Sequence, residues 1–258
     1  MRHLLLPLVL LSLAVTSEAA VKTRIIDYKQ GDTVLEGYLA WDDAKVGDRP
    51  GVLVVHEWTG INDNIRQRTE ALAKLGYVAF AADIYGKGVR PTAPADAAKT
   101  AGIYKNDRKL LRARVRAGLE ELKKQKFVDT QRLAAIGFCF GGTSVLELAR
   151  DGADVSGIVS FHGGLATPTP RDARNIKGKV LALHGADDPF VKPDEVAAFQ
   201  DEMRKAGVDW QLNIYGGAVH GFTNPANGTD NSKGAAYNAK ADKRSWEAMK
   251  SFFAEIFR

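Results

Sequence analysis

A single cysteine, Cys139, occurs in the 258 residues. No disulfide can therefore form within the chain, and a zinc site built from several thiolates is excluded. A surplus of one charge is also missing. The 36 Lys and Arg residues stand against 31 Asp and Glu, and the net +5 is too small to argue for a nucleic-acid partner. No apolar run reaches the roughly 20 residues that a membrane-spanning helix needs, so stable membrane insertion is not expected. Internal repeats and low-complexity tracts are absent. What remains is 45% hydrophobic and 26% charged, the composition of an ordinary globular protein with a core of normal depth.

The first residues read as an address. Arg2 is followed by a mostly apolar stretch from Leu4 to Val15, and Ser17-Glu18-Ala19 supplies small residues at the positions a signal peptidase reads. A signal peptide over residues 1–19 is expected, leaving an exported, periplasmic or secreted domain over residues 20–258.

Along that domain, apolar runs alternate with amphipathic stretches. Thr23 to Tyr28 and Thr33 to Trp41 suggest a hairpin turning at Gly31-Asp32. Strands are expected at Gly51–His56, Tyr77–Ala82, Leu133–Phe138, Val155–Phe161, Lys179–His184 and Trp210–Tyr215. Helices are expected at Asp63–Leu75, from the Pro91/Pro94 loop through Lys126, at Phe140–Arg150, Asp194–Ala206 and Tyr237–Phe253. The basic run from Arg108 to Lys126 carries Leu111, Val115, Leu119 and Leu122 at helical spacing, which makes it a solvated helix face. The alternation predicts one α/β domain, a doubly wound and mostly parallel sheet with helices on both faces. Ligands of such sheets bind at the carboxyl ends of the strands.

Chemistry-bearing residues fall there. Gly137-Phe-Cys139-Phe140-Gly141-Gly142 sits at a strand-to-helix junction and fits a nucleophile elbow with sulfur in place of the hydroxyl. A helix N-terminus behind Cys139 favours thiolate. Two acids, Asp187 and Asp188, follow a later strand, and His220 follows the last one, in the order nucleophile, acid, histidine. The residues alone do not choose between the two acids; the resemblance of Asp188-Pro-Phe190-Val191 to acid loops of α/β-hydrolases favours Asp188. His220 would serve as base and then acid. His56-Glu57-Trp58 follows the first buried strand, and the N–H of Trp58 could pair with that of Phe140 as an oxyanion hole. Glu57 is read either as a carboxylate near the thiol or as a cap of the next helix. His56, His162 and His184 also follow strands but lack metal-site spacing, so no metal and no cofactor are expected. Ile61, Phe161, Phe190 and Phe222 are candidate linings of a small substrate pocket.

Together these residues resemble the dienelactone hydrolase family of α/β-hydrolases over the whole domain. Cys139 in G-x-C-x-G-G is the most specific piece. Glu57-x-x-Gly60-Ile61-Asn62, Asp83-Ile84-Tyr85, Asp188-Pro189-Phe190-Val191 and His220-x-Phe222 agree in order and spacing. The resemblance implies a Cys–His–Asp triad, an acyl-thioester intermediate, a small ester or lactone substrate, and a Glu57 that contacts the resting thiol. The family's substrate-binding arginines are missing. Tyr104 is matched, but the arginine before it falls at Thr100 or Lys99, and the one after the histidine falls at Asn224. Gly221 stands where the family has a serine. A monomer or small homo-oligomer is expected. The rival readings are a broad-specificity carboxylesterase and a non-catalytic binding or redox-sensing protein on the same fold.

Overall fold

The computed structural model describes residues 21–258, so the expected signal peptide lies outside the described residues. Eight strands form one sheet in the order β1-β2-β4-β3-β5-β6-β7-β8. The hairpin strands β1 (Val21–Gln30) and β2 (Thr33–Asp42) pair antiparallel, and β2 joins β4 (Val78–Ala82) antiparallel. From there the pairings are parallel: β3 (Arg49–Val55), β5 (Val128–Phe138), β6 (Gly157–Phe161), β7 (Lys179–Gly185) and β8 (Trp210–Tyr215). Val52 to Val55 are fully buried, as an unbroken apolar strand with helices on both sides must be.

Helices α1 (Asp63–Lys74) and α6 (Ala239–Ile256) belong to the core on one face, where Ile65, Leu72, Met249 and Phe253 meet Val52, Val54 and Ile136. The other face carries α3 (Arg108–Lys123), α4 (Phe140–Arg150) and α5 (Pro193–Ala206), whose Leu111, Val115, Val145, Leu148 and Phe199 pack with Leu53, Val55 and Ala135. The expected long helix ending at Lys126 is two helices. Helix α2 (Pro94–Asn106) stops at Asp107, whose carboxylate accepts the N–H of Leu110 and caps α3. Pro94, expected in a loop, occupies the first turn of α2, where its missing N–H costs nothing.

Helix α4 carries the elbow, and every one of its residues is buried. Its two charged residues are therefore paired. Arg150 donates to Glu202 at 2.8 Å and to Glu147 at 3.0 Å, and Arg112 meets Glu147 at 2.8 Å. Such a network holds only while every member is satisfied. Arg150 also donates to the carbonyl of Leu165, tying the loop after β6 to this helix.

Candidate active site

Strands β5, β7 and β8 end on the same edge of the sheet, and three loops return there with Cys139, Asp188 and His220. Cys139 has φ 55° and ψ −114°, a backbone conformation that non-glycine residues avoid. The turn is that sharp because strand and helix run almost into each other. A Cβ on Gly137 would strike the carbonyl of Gly141, and one on Gly141 would strike that of Val55. Either side chain would force the elbow open.

His220 Nε2 lies 3.0 Å from Cys139 Sγ, and His220 Nδ1 lies 2.8 Å from Asp188 Oδ2. The other oxygen of Asp188 accepts the N–H of Phe190 at 2.9 Å, which fixes the buried carboxylate. Of the two acids, Asp188 is buried on the imidazole and Asp187 is exposed. Burial alone would lower the pKa of His220, but Cys139 and Asp188 overturn it and push the imidazole up to about 10. The imidazole faces sulfur on one side and carboxylate on the other.

His162 backs this arrangement. Its backbone is strained at φ 40°. Its Nδ1 accepts the N–H of Cys139 at 3.1 Å, so its proton is on Nε2, which donates to Thr223 Oγ1 at 2.8 Å. Burial and the neighbouring His220 hold its pKa well below the usual imidazole range. A neutral ring, edge-on to His220 at 5.4 Å, adds no competing charge.

The N–H of Phe140 is at the first position of α4, where no intrahelical acceptor exists. Trp58 follows the neighbouring strand β3, whose Val55 pairs with Gly137. Tyr85 reaches across to donate its hydroxyl to the Trp58 carbonyl at 3.0 Å, and Tyr104 donates to the Tyr85 carbonyl. Burial first, and then the nearby Cys139, raise the Tyr85 phenol far above its ordinary range, so it stays a donor.

The expectation that Glu57 caps the next helix is corrected. The cap of α1 is Asn62, whose side chain accepts the N–H of Ile65, so Glu57 does not cap that helix. The hydrogen-bond partner of the sulfur is His220, and Glu57 Oε2 accepts from Asn224 Nδ2 at 2.7 Å. Burial raises the Glu57 pKa against the opposing pull of Asn224, Asn62, His220 and Asn64.

Three of the four expected pocket residues are placed in the core. Phe161 and Phe222 are fully buried and Ile61 is 5% exposed; all three lie in the core on the α1/α6 face. Phe161 stacks on Phe138, because its place in β6 turns it into that layer. Phe190 does face outward, at 62% exposure, with its ring edge-on to His220 at 5.4 Å. It borders a groove of about 410 Å³ that also involves Leu165, Ala166, Lys192, Glu195 and Phe199. Glu195 shapes the far wall by accepting the N–H groups of Leu165 and Ala166. Tyr85 and the ring of His162 were not singled out as site residues by sequence reasoning, and Asn224 was named only as an arginine position left empty. Asp83-Ile84-Tyr85 was the available signal for the first of them.

A mostly parallel sheet, a strained strand-to-helix elbow and a cysteine, an acid and a histidine in that chain order fit an α/β-hydrolase. The family model of the dienelactone hydrolases matches residues 35–257, and the chain belongs to that family. A solved dienelactone hydrolase-like promiscuous phosphotriesterase from metagenomic libraries is 45% identical, with a TM-score of 0.88 over 92% of this chain and 99% of its own. Protein usf of Aquifex pyrophilus is 30% identical over 237 residues, covering 90% of this chain and 98% of that one. An Aquifex aeolicus protein provisionally named a carboxymethylenebutenolidase is 29% identical, covering 89% and 97%.

Proposed function

We propose that this hydrolase cleaves small, neutral esters and lactones through a covalent thioester on Cys139, after export from the cytoplasm. The observation that carries the reading is the continuous Asp188–His220–Cys139 chain of short contacts at a strained elbow. Sγ attacks the substrate carbonyl carbon, and the carbonyl π electrons move onto oxygen. The N–H groups of Trp58 and Phe140 receive that oxyanion. Its collapse breaks the carbon–oxygen bond, and His220 Nε2 gives its proton to the departing alkoxide. Water, deprotonated by His220, then attacks the thioester and returns the thiolate. Asp188 holds the imidazole tautomer throughout. Glu57 modulates the thiol electrostatically, and Phe190 walls the substrate. No cofactor enters this sequence.

Neutral substrates are favoured because Thr100 or Lys99, and Asn224, stand where the family has arginines, and the buried carboxylate of Glu57 sits on Asn224. The test is intact-mass analysis after mixing with an activated aryl ester. An acyl adduct on Cys139 that decays as acid is released supports the reading. Turnover without any Cys139 adduct, or turnover retained in Cys139→Ala, defeats it. An adduct-free, inactive protein whose Cys139 is oxidised reversibly by dilute peroxide would instead be a redox sensor.

A second activity is favoured by the 45% identical phosphotriesterase relative. A neutral diethyl aryl phosphotriester would be attacked at phosphorus by the same thiolate, with the aryloxide leaving. Phenolate release that disappears in Cys139→Ala is the expected result.

A further inference from the structure

We infer that His56 is a positioning residue that aims the oxyanion hole, and the inference rests on the catalytic reading above. The imidazole is fully buried at the end of β3, and it touches both sides of the proposed hole. Its Nδ1 is 2.6 Å from the carbonyl oxygen of Glu57, and the N–H of Ile84 points at its Nε2 from 3.2 Å. An N–H aimed at Nε2 needs a lone pair there, so the ring proton is on Nδ1 and is donated to Glu57. The Gly60 N–H supplies a second donor to the same carbonyl at 3.2 Å.

The consequence follows from peptide geometry. The described peptide bonds are all trans. In a planar trans peptide the carbonyl and the following N–H point in opposite directions. Fixing the Glu57 oxygen toward His56 therefore fixes the Trp58 N–H away from His56. The next carbonyl, that of Trp58, is held by the Tyr85 hydroxyl. Both peptides flanking the Trp58 α-carbon are thus set before any substrate arrives.

His56 also reaches the second donor. Its ring stacks on Phe140 at 5.9 Å with 23° between the planes, and Tyr85 packs edge-on against its side at 4.8 Å. Phe140 is the residue whose own N–H completes the hole. One ring thus fixes the direction of one donor and packs against the residue that carries the other. Burial holds the His56 pKa down to about 4, so the donating tautomer persists across the neutral range. A preorganised donor is worth most where charge develops only in the transition state.

The test separates an oxyanion effect from general damage. Alkylation of Cys139 by iodoacetamide is a displacement at saturated carbon and develops no oxyanion. Hydrolysis of a neutral aryl ester does. In His56→Phe, kcat should fall about ten- to a hundredfold with KM nearly unchanged, while the alkylation rate stays at the wild-type value. In His56→Asn, whose amide nitrogen falls near the position of Nδ1, most of kcat should return. His56→Gln, whose amide reaches toward the Nε2 position, should stay low. Unchanged kcat in His56→Phe overturns the inference, and so does a parallel fall in kcat and alkylation. Should the Phe variant fail to fold, equal kcat values for the Asn and Gln variants overturn it. A wild-type enzyme that never acylates Cys139 is a different result, the failure of the catalytic reading itself.

Discussion

The side-chain amide of Asn224 donates to the buried carboxylate of Glu57 at 2.7 Å, while the sulfur of Cys139 pairs with His220 instead. The hydrogen-bond partner of the sulfur is thus an imidazole rather than a carboxylate. In Asn224→Ala the carboxylate loses its anchor and becomes free to approach sulfur, where a second negative charge is disfavoured. Iodoacetamide alkylation at pH 7 should slow by about threefold or more. Adding Glu57→Gln should restore the rate. If the single variant alkylates as fast as wild type, Glu57 exerts no control over the thiol.

The proposed triad carries the sharpest expectation. Cys139→Ala, His220→Ala and Asp188→Asn should each lower kcat toward esters by roughly 10²-fold or more, because such residues act as a unit. Asp187→Asn should be near wild type, since Asp187 is exposed and Asp188 holds the imidazole. Steady-state kinetics on purified variants decide the matter.

Specificity should follow from the missing arginines. A lactone bearing a carboxylate should be hydrolysed no better than its methyl ester, because no bidentate clamp awaits the anion. Thr100→Arg combined with Asn224→Arg should shift the preference toward the anion. A strong anion preference in the wild type, with a salt-sensitive KM, would contradict the assignment of a neutral substrate.

Acid should weaken the fold through its neutral histidines. His56 is held down to about 4 by burial, whereas the unfolded side chain titrates near 6.5. Between those values the unfolded chain binds a proton that the folded chain does not, so stability falls as pH drops from 6.5 toward 4. The full effect of this one buried group is about 3 kcal/mol. Burial lowers the pKa of His162 and His184 as well, in the same direction. Urea denaturation as a function of pH should show a shallower acid slope in His56→Asn than in wild type.

The sequence signals that succeeded were local or chemically rare. The run Gly51 to Val55 is apolar enough to be a strand buried on both faces, and it is one. Cys139 between glycines marks a sharp strand-to-helix turn, and the turn is there, with Cys139 at positive φ just before α4. Signals that depend on register were less legible. Phe161 and Phe222 follow the pattern of residues near strand ends, but which layer they enter is decided by the pleat and by neighbours such as Phe138. The break at Asp107 was hidden because Leu111, Val115, Leu119 and Leu122 look continuous with the helix before it; only the capping geometry separates α2 from α3. Asn224 and Glu57 are 167 positions apart. No local pattern joins them, and the partnership exists only once β3 and β8 bring their loops to one edge.

The strand order also divides the molecule along an unexpected line. The first four strands in sequence occupy one side of the sheet and the last four the other, meeting only where β3 pairs with β5. The proposed reaction centre straddles that seam, with Trp58 contributed from one bank and the cysteine, acid and histidine from the other. A chain nicked in the loop between β4 and α2 would yield two pieces, each with its own strands and neither with both oxyanion donors. Mixing them makes ester turnover a reporter of reassembly. Either piece alone should be silent, and the rate should grow with the concentration of its complement until the seam is closed.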